Sequence, residues 1–385
     1  MSTLLQELAN DEKQITGWRH HMHRHPELAF EERHTAEYIT GLLRSWGYEV
    51  ATGVGKTGIV ASLTAGDGRK AIGLRADIDA LPVAEKAAGD HRSTIEGRSH
   101  TCGHDGHSAM LLGAAQHLAR TRSFNGTVRL IFQPAEEVMG GALAMIKDGL
   151  FERFPMDAVF GMHNMPGLKL GTIHFTTGPV MAAVDNWEIE LGGKGSHGSM
   201  PERSIDPVVA GAALVMALQT ITSRNVAPLD SAVVSVGAFL AGDAGNVIPQ
   251  SALLRLSIRT SRPETRELVL GKVRSITAAQ ADCYGVSWKI REGTPGAVLV
   301  NDAEQTAFAA TVAKELLGAD KVVTDGPRFM GSEDFAFFAQ HKPGTYCFIG
   351  NGDTPMVHHP QYDFDDRNLP VGAAYWVALA ESFLR

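Results

Sequence analysis

The stretch Thr127-Val-Arg-Leu-Ile-Phe132-Gln-Pro-Ala-Glu136-Glu137 is a strand-forming run that ends, through a proline, on two adjacent carboxylates. A short apolar run bounded by a breaker reads as a buried strand, and Pro134 cannot continue its hydrogen-bond ladder. Upstream lies a helical stretch rich in Ala, Leu and Met over residues 105–120, preceded by the β-rich runs Gly58-Ile-Val-Ala-Ser-Leu63 and Ala71-Ile-Gly-Leu-Arg75. Downstream come a helical segment over 141–149 and the run Met156-Asp-Ala-Val-Phe-Gly161. Residues 4–46 place apolar side chains at helical spacing. Strands alternating with helices indicate an α/β domain around a mostly parallel, buried central sheet.

The texture changes near Asn186. Trp187-Glu-Ile-Glu-Leu191 alternates like a half-exposed strand, and a helix is expected over 205–222. Two further strands, Ala232-Val-Val-Ser-Val236 and Leu253-Leu-Arg-Leu-Ser-Ile258, a helix from Pro263 and the run Val286-Ser-Trp-Lys-Ile290 complete a β-α-β-β-α-β order. That order is ferredoxin-like. After Gly293-Thr-Pro-Gly296 the α/β texture resumes, with a helix over 302–317, the strand Tyr346-Cys-Phe-Ile349 and a C-terminal helix. The expected division is a catalytic domain over 1–185 and 295–385, interrupted by a small α+β domain over 186–294.

The 385 residues carry a net charge of −8, with 44% hydrophobic and 20% charged residues. This composition excludes disorder and collagen-like repeats. Without a basic block, neither nucleic acid nor a membrane surface is an expected partner. The longest apolar run, over 208–218, is shorter than the ~20 residues of a membrane helix. Three widely spaced cysteines make no disulfide framework, and the opening MSTLLQELANDEKQ is too polar for a signal peptide, so the expected location is cytoplasmic. Gly53-Val-Gly55-Lys-Thr-Gly58 matches a dinucleotide-binding pattern but runs into β-branched residues instead of a helix, so it reads as a turn between strands. No G-x-S-x-G nucleophile elbow occurs.

The 16 histidines are the feature to follow. His100-Thr-Cys102-Gly-His104-Asp-Gly-His107 puts a thiol and three imidazoles just before a helix, and these are ligands for zinc-like metals. Asp105 is placed to orient such a ring from behind. Taken alone, Cys102 reads as a small core residue, and Glu136-Glu137 as a solvated loop. His163 follows an apolar run, and His358-His359 lie in the loop beyond another; either could be structural. Their common placement decides between the readings. Glu136, Glu137, His163, His358 and Asp77 all follow expected strands, and open α/β sheets bind ligands outside the carboxyl ends of their strands.

Motifs along almost the whole chain then align with one family. They are His23-Arg-His25-Pro-Glu-Leu, Leu74-Arg-Ala-Asp77-Ile-Asp-Ala-Leu-Pro82, Cys102-Gly-His-Asp-Gly-His107, Phe132-Gln-Pro-Ala-Glu-Glu137, Gly195-Ser-His197, Asn246-Val-Ile-Pro249, Gly331-Ser-Glu-Asp-Phe335 and His358-His-Pro360. With these, the sequence resembles the N-acyl-amino-acid amidohydrolases, the hippurate hydrolase and indole-acetyl-amino-acid hydrolase branch of the aminoacylase-type metallopeptidases.

The resemblance implies two divalent ions per subunit, held by Cys102, His104, Glu137, His163 and His358, with Glu136 as general base. Cys102 would bridge, His104 and Glu137 would hold one ion, and His163 and His358 the other. Mn2+ or Zn2+ suits these donors best, and Co2+ or Ni2+ also fits. The inserted domain would be a lid that also forms a homodimer, with a tetramer as the alternative. His197 would reach the oxyanion from the partner subunit. Asn246 and Arg259 would hold the substrate carboxylate, and Ser332 would line the same pocket or cap a helix. Elsewhere in the superfamily the aspartate near the first strand end belongs to a His-x-Asp pair. Here the position reads Arg75-Ala-Asp77, so Asp77 is expected behind the ligands. The implied activity is hydrolysis of small N-acyl amino acids to a carboxylic acid and a free amino acid. The alternatives are an N-acetyl-diaminopimelate-type deacetylase, a dipeptidase, or a non-catalytic metal- or amino-acid-binding protein.

Overall fold

A computed structural model describes residues 3–385, which divide into two compact units. The first runs to Gly178 and resumes over Val300–Pro327 and Asp334–Arg385. Its sheet contains β1 (Glu49–Val54), β2 (Gly58–Ala65), β3 (Ala71–Asp77), β4 (Gly126–Gln133), β5 (Ala158–Met165) and the later strands Gly344–Gly350, Ile173–His174 and Val322–Val323. The spatial order is β1-β2-β4-β3-β5, then Gly344–Gly350, Ile173–His174 and Val322–Val323. β4, β3, β5 and Gly344–Gly350 form a parallel block, while β1 and β2 run antiparallel at one side. Every residue of β3, β5 and Gly344–Gly350 is buried, as expected of strands covered on both faces. The Gly53–Gly58 stretch turns β1 into β2, with Gly55 at φ 67° and Lys56 at φ 82°.

The helical stretch over 4–46 breaks into α1 (Thr3–Asn10), α2 (Glu12–Arg24) and α3 (Arg33–Ser45). Pro26 sits in the break after α2, where it withholds an N–H from any helix. α4 (His104–Thr121) is buried along almost its whole length, packed against α2 and the C-terminal helix Leu369–Phe383. Its Met110, Leu111, Leu112 and Leu118 share one core with Leu74, Leu130, Phe160 and Trp376. Each such burial contributes roughly 1.5–3 kcal/mol.

α2 is tied to this core by charge. Arg19 is fully buried, and its Nε donates to Asp105 Oδ2 at 2.9 Å. Its Nη1 donates to Phe364 O at 3.1 Å and Asp366 Oδ1 at 2.7 Å, and its Nη2 pairs with Asp363. His23 donates through Nδ1 to Asp105 at 2.8 Å and through Nε2 to Glu85 at 3.1 Å. Burial alone would lower the His23 pKa, but Asp105 and Glu85 lift it to about 9. A folded pKa above the unfolded 6.5 means this contribution is complete below pH 6.5 and lost as pH rises to about 9. It amounts to about 3 kcal/mol. Urea unfolding should therefore show stability falling between pH 6.5 and 9.5, and His23→Gln should flatten that fall. An unchanged slope in the variant would refute the assignment.

The second unit comprises Pro179–Leu299 and Arg328–Glu333. Its sheet has the order Ala232–Leu240, Ser251–Thr260, Ala183–Gly192, Ser287–Glu292, antiparallel throughout. Helices Pro207–Arg224 and Pro263–Tyr284 bury Leu214, Leu218, Ile221, Val269 and Val273 against Trp187, Ile189, Leu254 and Ile258. The first helix has the length and apolar character of a short membrane span, and a third of it is buried, with Leu214, Leu218 and Ile221 in this core. Asp206 caps it by accepting from the N–H groups of Val208 and Val209, with Pro207 in the first turn. Arg328–Glu333 lies within the segment 295–385, which the sequence reading gave wholly to the larger domain. It joins this unit because Phe329 N donates to Val180 O, and Ala182 N to the carbonyls of Phe329 and Gly331.

Candidate metal centre

The parallel block brings its strand ends together, and the metal-type residues lie there. Cys102 and Gly103 lead into α4, whose first residue is His104. Gly103 has φ 91°, and a Cβ on it would stand 2.1 Å from Asn164 Oδ1 and 2.6 Å from the Tyr362 hydroxyl. Only glycine meets both demands. His163 lies inside β5 and not after it, buried despite its polarity because its Nδ1 donates to Asn164 O at 2.6 Å. This fixes the tautomer and leaves Nε2 facing Cys102 Sγ at 3.4 Å.

His104 is oriented in the same way. Its Nδ1 donates to Asp79 through the backbone oxygen at 2.9 Å and Oδ1 at 3.2 Å. Its Nε2, fully buried, has no hydrogen-bond partner among the described residues, and neither has Glu137 Oε1, 3.8 Å away. Glu137 Oε2 lies 3.4 Å from Nε2 of His358. His358 is held at φ 69° while its N–H donates to Thr101 O at 2.7 Å. A non-glycine residue in that region is strained, as is common at ligand sites. His359 turns away, its Nδ1 accepting from Gln361 N.

Ligand atoms of Cys102, His104 and His163 lie within 4.8 Å of one another, and so do those of Cys102, Glu137 and His358, and of His104, Glu136 and Glu137. The three groups share members, so they form one continuous donor cluster containing every sequence-expected ligand. The electrostatics call for a cation. Burial, with Glu137, Glu136 and Asp77, pushes the Cys102 thiol far above its usual range. Burial and His107 keep His163 neutral. Burial opposes charge on His104 too, yet Asp77, Asp79 and Glu137 raise it to about 10. The proton His104 takes up stands where a cation would otherwise neutralise these carboxylates. A soft thiol, borderline imidazoles and a hard carboxylate, with two orphaned buried ligand atoms, fit divalent ions of the zinc or manganese type.

Asp77 is engaged on both oxygens, accepting from His107 Nδ1 at 2.6 Å and Arg75 Nη1 at 2.7 Å, and lies 3.8 Å from His104 Nε2. Asp105 does not orient a candidate ligand; its bonded partners are Arg19 and His23, because the first turn of α4 points it towards α2. The orienting role at His104 belongs to Asp79, which also accepts from Glu137 N at 3.0 Å. Sequence reasoning missed it, although Asp77-Ile-Asp79 at a strand end carried the signal.

His197, Asn246, Arg259 and Ser332 all belong to the second unit. His197 is exposed and its Nδ1 accepts from Ser199, which places the proton on Nε2. Asn246 O accepts from Gly198 N at 2.7 Å. Arg259 Nη1 donates to Met330 O at 2.8 Å and lies 3.5 Å from Ser332 Oγ. Ser332 caps no helix; the helix Phe335–His341 starts after Asp334.

A mixed, mostly parallel α/β sheet with a Cys/His/Glu cluster at its strand ends defines a hydrolase of the metallopeptidase class. The chain belongs to peptidase family M20/M25/M40, whose pattern it matches over residues 73–382. It is 43% identical over 382 residues to the hippurate hydrolase of Campylobacter jejuni, covering 99% of this chain and 100% of that one. It is 38% identical over 371 residues to the N-acetyl-L-cysteine deacetylase of Bacillus subtilis, covering 96% and 88%. Among solved structures, a dinuclear metal binding peptidase of the M20 family from Bacillus subtilis superimposes with a TM-score of 0.85 at 33% identity, covering 98% and 99%.

Proposed function

We propose that this enzyme hydrolyses the amide bond of N-acyl-L-amino acids, hippurate-like, N-acetyl or aryl-acetyl, in a metal-dependent reaction. The observation that carries the reading is Glu136, a buried carboxylate with an oxygen within 4.8 Å of ligand atoms of His104 and Glu137. A protein that only bound metal would need no such base. Cys102, His104, Glu137, His163 and His358 would hold two divalent ions, manganese or zinc before cobalt or nickel, which when bound would acidify a water and polarise the amide carbonyl. The grouping of the ligand atoms favours His104 with His163 and Glu137 with His358, each beside Cys102, over the pairing expected from the sequence. Glu136 takes the proton of the attacking water and delivers it to the leaving amine. Asp79 and the Asn164 carbonyl keep the ligand rings in the required tautomer, and Asp77, held by Arg75 and His107, adds negative charge 3.8 Å from His104 Nε2. His197, with its proton on Nε2, donates to the oxyanion from the partner of a homodimer. Arg259 pairs with the substrate carboxylate, assisted by Asn246 and Ser332. The reaction is assigned to the cytoplasm.

The test is release of free amino acid from benzoyl, acetyl and indole-acetyl amino acids, with dipeptides alongside, after reconstitution with each metal. No amide cleavage with any of them would overturn the reading. Within the same panel, Arg259→Ala should raise KM about 10- to 100-fold for substrates with a free carboxylate, the range of a lost charge-assisted bond. Amides lacking the carboxylate should be unaffected, and equal effects on both would remove Arg259 from its role.

A further inference from the structure

Glu32 lies outside the donor cluster, at the start of α3, and is completely buried. Among the described residues it forms no ion pair, an expensive state for a carboxyl group. All its bonds come from neutral donors. Oε1 accepts from Phe30 N and Ala135 N, each at 2.9 Å, and Oε2 accepts from the Thr57 hydroxyl at 2.5 Å. The two backbone donors share an unusual property. Phe30 has φ 63° and Ala135 has φ 53°, a left-handed conformation that costs a non-glycine residue about 1–2 kcal/mol.

Ala135 immediately precedes the Glu136-Glu137 pair, and its carbonyl accepts from Gly140 and Gly141 as the chain turns. Asp79 holds the far side of the pair through Glu137 N. Glu32 holds the near side from a position 103 residues earlier. We propose that Glu32 is a positioning residue, which fixes the strained Ala135 turn and thereby aims Glu136 at its proton and Glu137 at its metal. The proposal rests on the roles given above to those two glutamates. Since burial pushes the Glu32 carboxyl up to about 7, a neutral side chain of the same shape should serve nearly as well. Gln keeps the acceptor for both N–H groups and can donate to Thr57.

The experiment compares Glu32→Leu with Glu32→Gln in the full protein, by steady-state kinetics on N-benzoylglycine and by absorption of the cobalt(II)-loaded forms. Misplacing reacting groups by about 1 Å costs about 100-fold. Glu32→Leu should lose kcat on that scale with little change in KM, and should alter the cobalt ligand-field spectrum through Glu137. Glu32→Gln should retain both the kcat and the spectrum. Adding Ala135→Gly to Glu32→Leu should restore much of kcat, since glycine adopts the turn without strain. If Glu32→Leu does not fold, Thr57→Val makes the same test by freeing Oε2, with a smaller loss of kcat and a shifted spectrum. A folded Glu32→Leu or Thr57→Val protein with wild-type kcat and spectrum overturns the proposal. So does a Gln variant as impaired as Leu, or a failed rescue by Ala135→Gly. Glu136→Gln run alongside separates the two claims: full activity there refutes the catalytic reading, while the cobalt spectra still judge Glu32.

Discussion

Glu136→Gln loses turnover by about a hundred- to ten-thousand-fold, the range of general base catalysis, and keeps its metal content. Gln preserves the volume of this buried side chain but cannot accept the proton of a water molecule. Glu137→Gln should lose metal, and turnover with it, because Glu137 Oε1 lies bare at the cluster while Oε2 faces His358. Burial raises the pKa of Glu137, but His358 and His104 more than offset this and keep it ionised, as a ligand must be. Metal analysis of the two purified variants, beside their kcat values, makes the comparison. Loss of metal in Glu136→Gln with retention in Glu137→Gln would show the two roles exchanged.

Gly103→Ala should be strongly damaging, because it combines a left-handed backbone with filled surroundings. The left-handed backbone costs alanine about 1–2 kcal/mol, and forcing a methyl into a closed core adds about 1–3 kcal/mol. Relief by movement is blocked. The atoms in the way belong to Asn164 and Tyr362, both fully buried, and the Asn164 backbone also receives the His163 Nδ1–H and donates to His107. Any shift that admits the methyl drags His163 with it. Urea unfolding of the metal-free proteins should show a loss of about 2–5 kcal/mol, and metal affinity should fall as well. A wild-type unfolding midpoint with wild-type metal affinity would disprove the packing argument.

The sheet and the donor cluster were legible because each is written locally. The run at 127–132 is β4 almost to the residue, and Cys102 stands just before α4 and His104 opens it, where the composition placed that helix. β1 escaped notice because its burial hardly alternates, so no period marks it. The supporting residues escaped for another reason. Asp79, Glu32 and Arg19 are ordinary charged residues in sequence, and their partners lie 25, 103 and up to 347 residues away. A ligand type announces its chemistry, whereas an orienting carboxylate gains its role only from what the fold places against it. The same holds for Asp105, whose neighbours in sequence are ligands but whose bonded partners belong to α2.

The parallel block also sets a timetable for biosynthesis. β5 receives its outer neighbour, Gly344–Gly350, only after about 180 further residues have been made, including the whole of Pro179–Leu299. At roughly 5–20 residues per second, the ribosome leaves that edge open for roughly ten to forty seconds. An uncovered edge of a strand that is buried throughout in the finished fold invites pairing with the wrong chain. His358 arrives later still, so a growing chain carries the other proposed ligands, Cys102, His104, Glu137 and His163, before the last of the set. Folding delay and metal loading thus converge on the same late segment, and a cell short of chaperones or of metal would harm this protein at the same step.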